Sequence, residues 1–181
     1  MRVGVGWISL SDTCSASAND QGNLPLRHDI RLRHWAGLVS PHSVNIRDIL
    51  WVGLGGGIGS MARFGVVSLV ARWLGERLGE TLPFGTILVN VTGCFLIGLV
   101  AGVEDPGLGW INRPSGRQFL IAGVCGGYTT FSAFSLQTLR LIQNKSWTLA
   151  GLNVLGSIIL CMAAITLGHL CAVWWTGRKA G

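Results

Sequence analysis

Charge is scarce in this chain, and negative charge most of all. Only 12% of its 181 residues are charged against 49% hydrophobic, and of its eight Asp and Glu residues none follows Asp105. A soluble domain of this length carries about 25% charged residues, so the composition excludes that class. Proton-coupled pumps and most cation carriers keep carboxylates inside the membrane as relay or counter-ion, and the late spans have none. Cysteine is sparse and scattered at 14, 94, 125, 161 and 171, with no Cys-x-x-Cys pair. That excludes a zinc-ribbon framework and leaves the thiols as small buried hydrophobes.

What is present in abundance is apolar sequence. Residues 1–45 stand apart, interrupted by Ser11-Asp12-Thr13, Asn19-Asp20-Gln21-Gly22-Asn23 and Pro25, and are expected to be a disordered extension without the apolar core of a secretory signal. The remainder, 46–177, holds four apolar blocks, Ile49–Leu74, Phe84–Val103, Phe119–Ile142 and Trp147–Trp175, ahead of a short basic tail at 178–181. Each is near the roughly 20 residues a helix needs to cross hydrocarbon. Tryptophans 51, 73, 110, 147, 174 and 175 fall at or just beyond the block ends, as in an interfacial belt. Small residues four apart at Gly53/Gly57, Gly55/Gly59 and Gly98/Gly102 are read as ordinary packing positions.

Four spans put both termini on one side. Leaving the extension aside, that side carries Arg47, Arg113, Arg117, Arg178 and Lys179, and the other Arg72, Arg77, Arg140 and Lys145. Lys/Arg asymmetry sets orientation, so a near balance predicts insertion both ways and an antiparallel homodimer; counting Arg31 and Arg33 tilts the N-terminus inward.

The third block carries a break. Gly126-Gly127-Tyr128-Thr129-Thr130 interrupts a helix-length apolar segment. Backbone groups freed there cost several kcal/mol each in lipid unless protein, water or an ion meets them, so the break reads as a functional site. At depth the ionisable groups are Arg63 and His169. A lone guanidinium there faces a wet vestibule or an anion, or else snorkels, whereas His169 lies near a span end. Gly57-Ile58-Gly59-Ser60-Met61-Ala62 imitates a dinucleotide-binding turn, without the strand that such a turn requires. A hydrolase built on Ser60 and His169 is remote, since nothing fixes the two together.

Polar residues inside the spans form pairs at helical spacing. Thr86 and Asn90 share a face of the second span, as do Asn153 and Ser157 of the fourth. Asn90 can hydrogen-bond a neighbouring helix or donate through its NH2 to a dehydrated anion. Phe131 and Phe134, just after the break, can present electropositive ring edges to a small anion. A pore for a strongly hydrated anion needs donors that replace water yet release the ion.

With Gly55-Gly56-Gly57-Ile58-Gly59-Ser60-Met61-Ala62-Arg63-Phe64, Phe84-Gly85-Thr86-Ile87-Leu88-Val89-Asn90 and Gly126-Gly127-Tyr128-Thr129-Thr130-Phe131-Ser132-Ala133-Phe134-Ser135 in order, the chain resembles the Fluc (CrcB) family of fluoride ion channels. The resemblance implies an all-α integral membrane protein, not an enzyme, of four transmembrane helices with the third broken. Its copies pair as an antiparallel dual-topology homodimer in the inner (cytoplasmic) membrane. It implies passive fluoride export along Asn90, Phe131 and Phe134, with Arg63 in the vestibule and Thr86, Asn153 and Ser157 as secondary polar groups. A structural Na+ at the dimer centre would be held by the carbonyls of Gly126 and Thr129. The implied partners are fluoride, the opposed copy and lipid, with no nucleic acid. Gln137 stands where relatives often carry an acid, and Asn153 where they carry Tyr. From the residues alone, a coupled small-ion or drug exchanger and a non-transporting membrane assembly protein stay open.

Overall fold

A computed structural model of the chain describes residues 45–103 and 109–179, with backbone alone at 75–81 and 178–179. The expected disordered extension, apart from residue 45, lies outside the described residues, as do 104–108 and the last two positions. All regular structure among the described residues is helical: α1 (Ile46–Thr81), α2 (Phe84–Gly102), α3 (Pro114–Arg117), a π-helical stretch (Gln118–Cys125), α4 (Gly126–Tyr128), α5 (Phe131–Gln143) and α6 (Trp147–Lys179). Four segments are long and apolar enough to cross a membrane: Ile46–Leu74, Phe84–Gly102, Pro114–Gln143 and Trp147–Gly177. This is a multi-pass membrane protein.

The helix ends follow local chemistry. α1 begins before the first apolar block and takes Asp48 into its first turn, where the N-terminal dipole favours an acid. The Asp48 carboxylate also accepts a hydrogen bond from Ser115 Oγ at 3.2 Å, tying the start of the first span to that of the third. The third span likewise starts earlier than the apolar pattern suggests, because Pro114 suits a first helical position and the buried Arg117 finds one carbonyl partner, although its Nε is left without one. Arg117 Nη2 donates to the Val103 carbonyl at 2.9 Å, placing a cation on the C-terminal end of α2.

α2 is the central element. It carries no charged side chain, packs along α6, and touches α1, the π-helical stretch, α4 and α5; α1 lies against the π-helical stretch and α4. The interior is lined by small groups such as Val89, Cys125, Ala150, Ala164 and Ala172, while Met61, Phe64, Trp73 and Ile159 point outward. Lipid is as apolar as leucine, so large side chains gain nothing by turning inward and the helices approach through small residues instead. All six block-end tryptophans are exposed.

Glycine makes two of these contacts possible. A Cβ on Gly98 would strike the Ile165 carbonyl and one on Gly168 the Phe95 carbonyl, so α2 and α6 meet backbone to backbone. Gly55 and Gly59 likewise admit the carbonyls of Phe119 and Val124 from the third span. The Gly53/Gly57 pair, by contrast, meets nothing within 4 Å. Gly168→Val is expected to cost about 1–3 kcal/mol by forcing α2 and α6 apart. Gly177→Ala, where nothing lies within 4 Å of the added Cβ, should leave stability within about 1 kcal/mol. Thermal unfolding of the detergent-solubilised protein compares the two.

Candidate functional site

The helical backbone of the third span stops at Tyr128 and resumes at Phe131, with Thr129 (φ −80°, ψ 158°) and Thr130 (φ −151°, ψ 112°) extended between them. Backbone groups there that lose their helical partner need another. Thr129 N–H donates back to the Cys125 carbonyl at 2.9 Å, and the Thr129 hydroxyl donates to the same oxygen at 3.0 Å. Thr130 is served by α2: its N–H donates to Asn90 Oδ1 at 2.8 Å, and Asn90 Nδ2 donates to its carbonyl at 3.2 Å. The Asn90 amide thus imitates one rung of a β-ladder. Thr130 Oγ1 in turn accepts from Ala133 N–H at 3.2 Å, capping α5. Ser60 Oγ donates to the Gly127 carbonyl at 3.4 Å, and the Thr92 and Tyr128 hydroxyls lie 3.1 Å apart.

Three carbonyls remain. Those of Gly126, Tyr128 and Thr129 accept no hydrogen bond among the described residues. Gly126 is exposed on the single chain.

Beside this segment a cavity of about 270 Å³ opens between α2, α5 and α6, lined by Asn90, Phe131, Phe134 and Ser157 together with Cys94 and Cys161. The two phenyl rings are tilted at 41° with centroids 5.4 Å apart, Phe131 largely exposed and Phe134 half-buried. Asn90 uses one N–H of its amide on Thr130, and the other has no partner among the described residues. Ser157 Oγ is buried without a hydrogen-bond partner.

Four of the seven fluoride-path residues singled out from sequence therefore share one cavity, which Thr129 also lines, and three do not line it. Thr86 is buried one turn before Asn90 on α2. Arg63 is half-buried on α1, with no carboxylate paired to it among the described residues. Asn153, only 1% exposed, sits at the α5–α6 seam. Its Nδ2 donates to Thr138 Oγ1 at 2.8 Å because that hydroxyl spends its proton on the Phe134 carbonyl, also at 2.8 Å. The amide oxygen of Asn153 is left buried and unpaired, as is Gln137 Oε1. Ser60 and His169 have separate occupations, the first on the Gly127 carbonyl and the second against Gly102.

Sequence reading missed the work of Thr130 and Ser60. Thr130 has a visible signal as a helix N-cap, a threonine three residues ahead of Ala133. Ser60 gave none beyond its place beside the Gly55/Gly59 face.

Comparison with known proteins adds an independent line. Residues 50–169 match the family model described as CrcB-like protein, Camphor Resistance (CrcB). The chain is 48% identical over 130 residues to a protein of Opitutus terrae named fluoride-specific ion channel FluC, covering 72% of this chain and 96% of the relative. Proteins of the same name from Methylocella silvestris and Methylobacterium radiotolerans are 42% and 44% identical, over 70% and 68% of this chain and 93% and 83% of theirs.

Removing the Asn90 side chain strands both backbone groups of Thr130. Asn90→Ala is expected to destabilise the fold by about 2 kcal/mol or more. It should also raise amide hydrogen exchange at residues 126–134, as read by mass spectrometry; unchanged protection there would show that the ladder contact contributes nothing.

Proposed function

This chain belongs to the CrcB-like family, and on that premise we propose that it is a fluoride-selective channel, not an enzyme, which lets fluoride leave the cell passively across the inner membrane. The observation that carries the reading is the cavity in which a half-used Asn90 amide, two phenyl rings and an unpaired serine hydroxyl converge beside a non-helical backbone.

Fluoride holds its water tightly, so a path for it must offer replacement donors that are individually weak. The spare N–H of Asn90 and the hydroxyl of Ser157 are such donors. Phe131 and Phe134 contribute positive ring edges, which attract an anion without a full charge. Arg63, with no carboxylate beside it among the described residues, raises local anion concentration at the vestibule. Thr86 and Asn153, one turn before Asn90 and Ser157 respectively, are secondary polar contributors beyond the same end of the cavity. The late spans hold no acid, so nothing repels the anion there or relays a proton, which disfavours coupled exchange.

The unpaired carbonyls of Gly126 and Thr129 fit a hard monovalent cation, which takes neutral oxygen ligands. In this proposal two copies of opposite orientation meet at their broken third helices, and the four carbonyls of the pair hold one Na+. When bound, the ion supplies positive charge to acceptors that would otherwise be stranded in lipid. The even distribution of Lys and Arg supports insertion in both directions.

Liposomes containing the purified protein should release fluoride, read with a fluoride electrode, and retain chloride; chloride release at a similar rate would defeat the proposal. Phe134→Ile should cut fluoride efflux by about tenfold or more, the equivalent of some 1.4 kcal/mol of lost ring-edge stabilisation. It should leave dimer elution in detergent unchanged, and undiminished flux would take that ring out of the path.

A further inference from the structure

Two cysteines that look isolated in sequence share the cavity wall. Cys94 of α2 and Cys161 of α6 are free, half-buried thiols that both line the cavity. They stand on the facing sides of α2 and α6 that form one wall of it. Their register is held by the helices themselves. One turn beyond Cys94 is Gly98, which meets the backbone of Ile165, one turn beyond Cys161; a further turn brings Gly102 against His169. α2 and α6 thus run alongside each other with turns matched, and the pair of thiols is the next rung of that series.

Two facing thiols make a defined but incomplete donor set. No group of three His, Cys, Asp or Glu side chains among the described residues could hold a metal, which rules out the four ligands that zinc requires of a structural site. A soft d10 cation that accepts two sulfurs in line needs no more than these. Charge favours a divalent one, because two thiolates and a doubly charged cation leave the site neutral, and the surroundings supply no other compensating charge.

We propose that Cys94 and Cys161 form a two-coordinate thiolate site for a soft divalent cation, of which Hg2+ is the probe, and that its occupancy closes the cavity beside Asn90 and Phe134. Each S–H bond breaks with its proton passing to water, two sulfur–metal bonds form, and no oxidation state changes. Binding itself stands on the thiol geometry alone, whereas the effect on transport rests on the reading of the cavity as the fluoride path.

The test uses the full chain in liposomes, with Cys14 and Cys171 changed to Ala. Far-ultraviolet sulfur-to-mercury charge-transfer absorbance should titrate to one Hg2+ per chain that resists a monothiol competitor, lose that resistance in Cys94→Ala and in Cys161→Ala, and keep it in Cys125→Ala. Zn2+ should neither bind nor compete. Fluoride efflux should stop on adding Hg2+, whereas each of the two cavity variants should keep its own untreated rate. The same resistance in the Cys94 and Cys161 variants, or its loss in Cys125→Ala, would overturn the site. A parent protein that binds Hg2+ yet never passes fluoride would overturn the reading of the cavity as a fluoride path.

Discussion

The bond on which the rest of the site depends is the paired contact between the Asn90 amide and the backbone of Thr130. A membrane offers no water to an extended residue, so every N–H and C=O released from the helix must be met by protein. α2 meets both groups of Thr130 with one side chain, and Thr130 then caps α5 with its hydroxyl. The direction of α5, and with it the position of Phe131 and Phe134, follows from that anchor. Asn90 is therefore a structural residue that keeps one donor to spare, and its two roles use different hydrogens of the same NH2 group.

Close helix approach is the second condition. The cavity lies where α2 and α6 are pressed together at Gly98 and Gly168 on one side and α5 is tied to α6 by the Thr138–Asn153 bond on the other. Hydrophobic burial cannot produce such a contact in lipid, and contact between backbones stripped of side chains can. The large apolar residues turned outward on α1 and α6 are the other face of the same rule. In water that surface would call for aggregation; in a bilayer it is the solvated side.

Much of the architecture was legible before any coordinates. The four spans, the tryptophans at their ends and the dearth of acid all follow from hydrocarbon thickness and the cost of burying charge, which act on composition directly. Boundaries were less legible. Asp48 and Arg117 fall outside the apolar blocks, yet each is taken into a helix where a helix end or a neighbouring carbonyl answers its charge. The Gly55/Gly59 and Gly98/Gly102 pairs proved to be contacts within the chain, and Gly53/Gly57 touches nothing in it, although all three look alike as a pattern.

Sequence by itself determined that this chain lives in a membrane as a four-span bundle and belongs with the CrcB-like proteins, since span length, polarity and motif order are properties of the linear string. Only the tertiary structure decided which polar groups face one another. Asn90 meets Thr130, Asn153 spends its donor on Thr138, and Cys94 and Cys161 share one cavity wall because helices distant in the chain pack in a particular register. Helical periodicity says which residues share a face, but what that face touches depends on where two backbones can approach, and glycine and carbonyl contacts settle that in three dimensions.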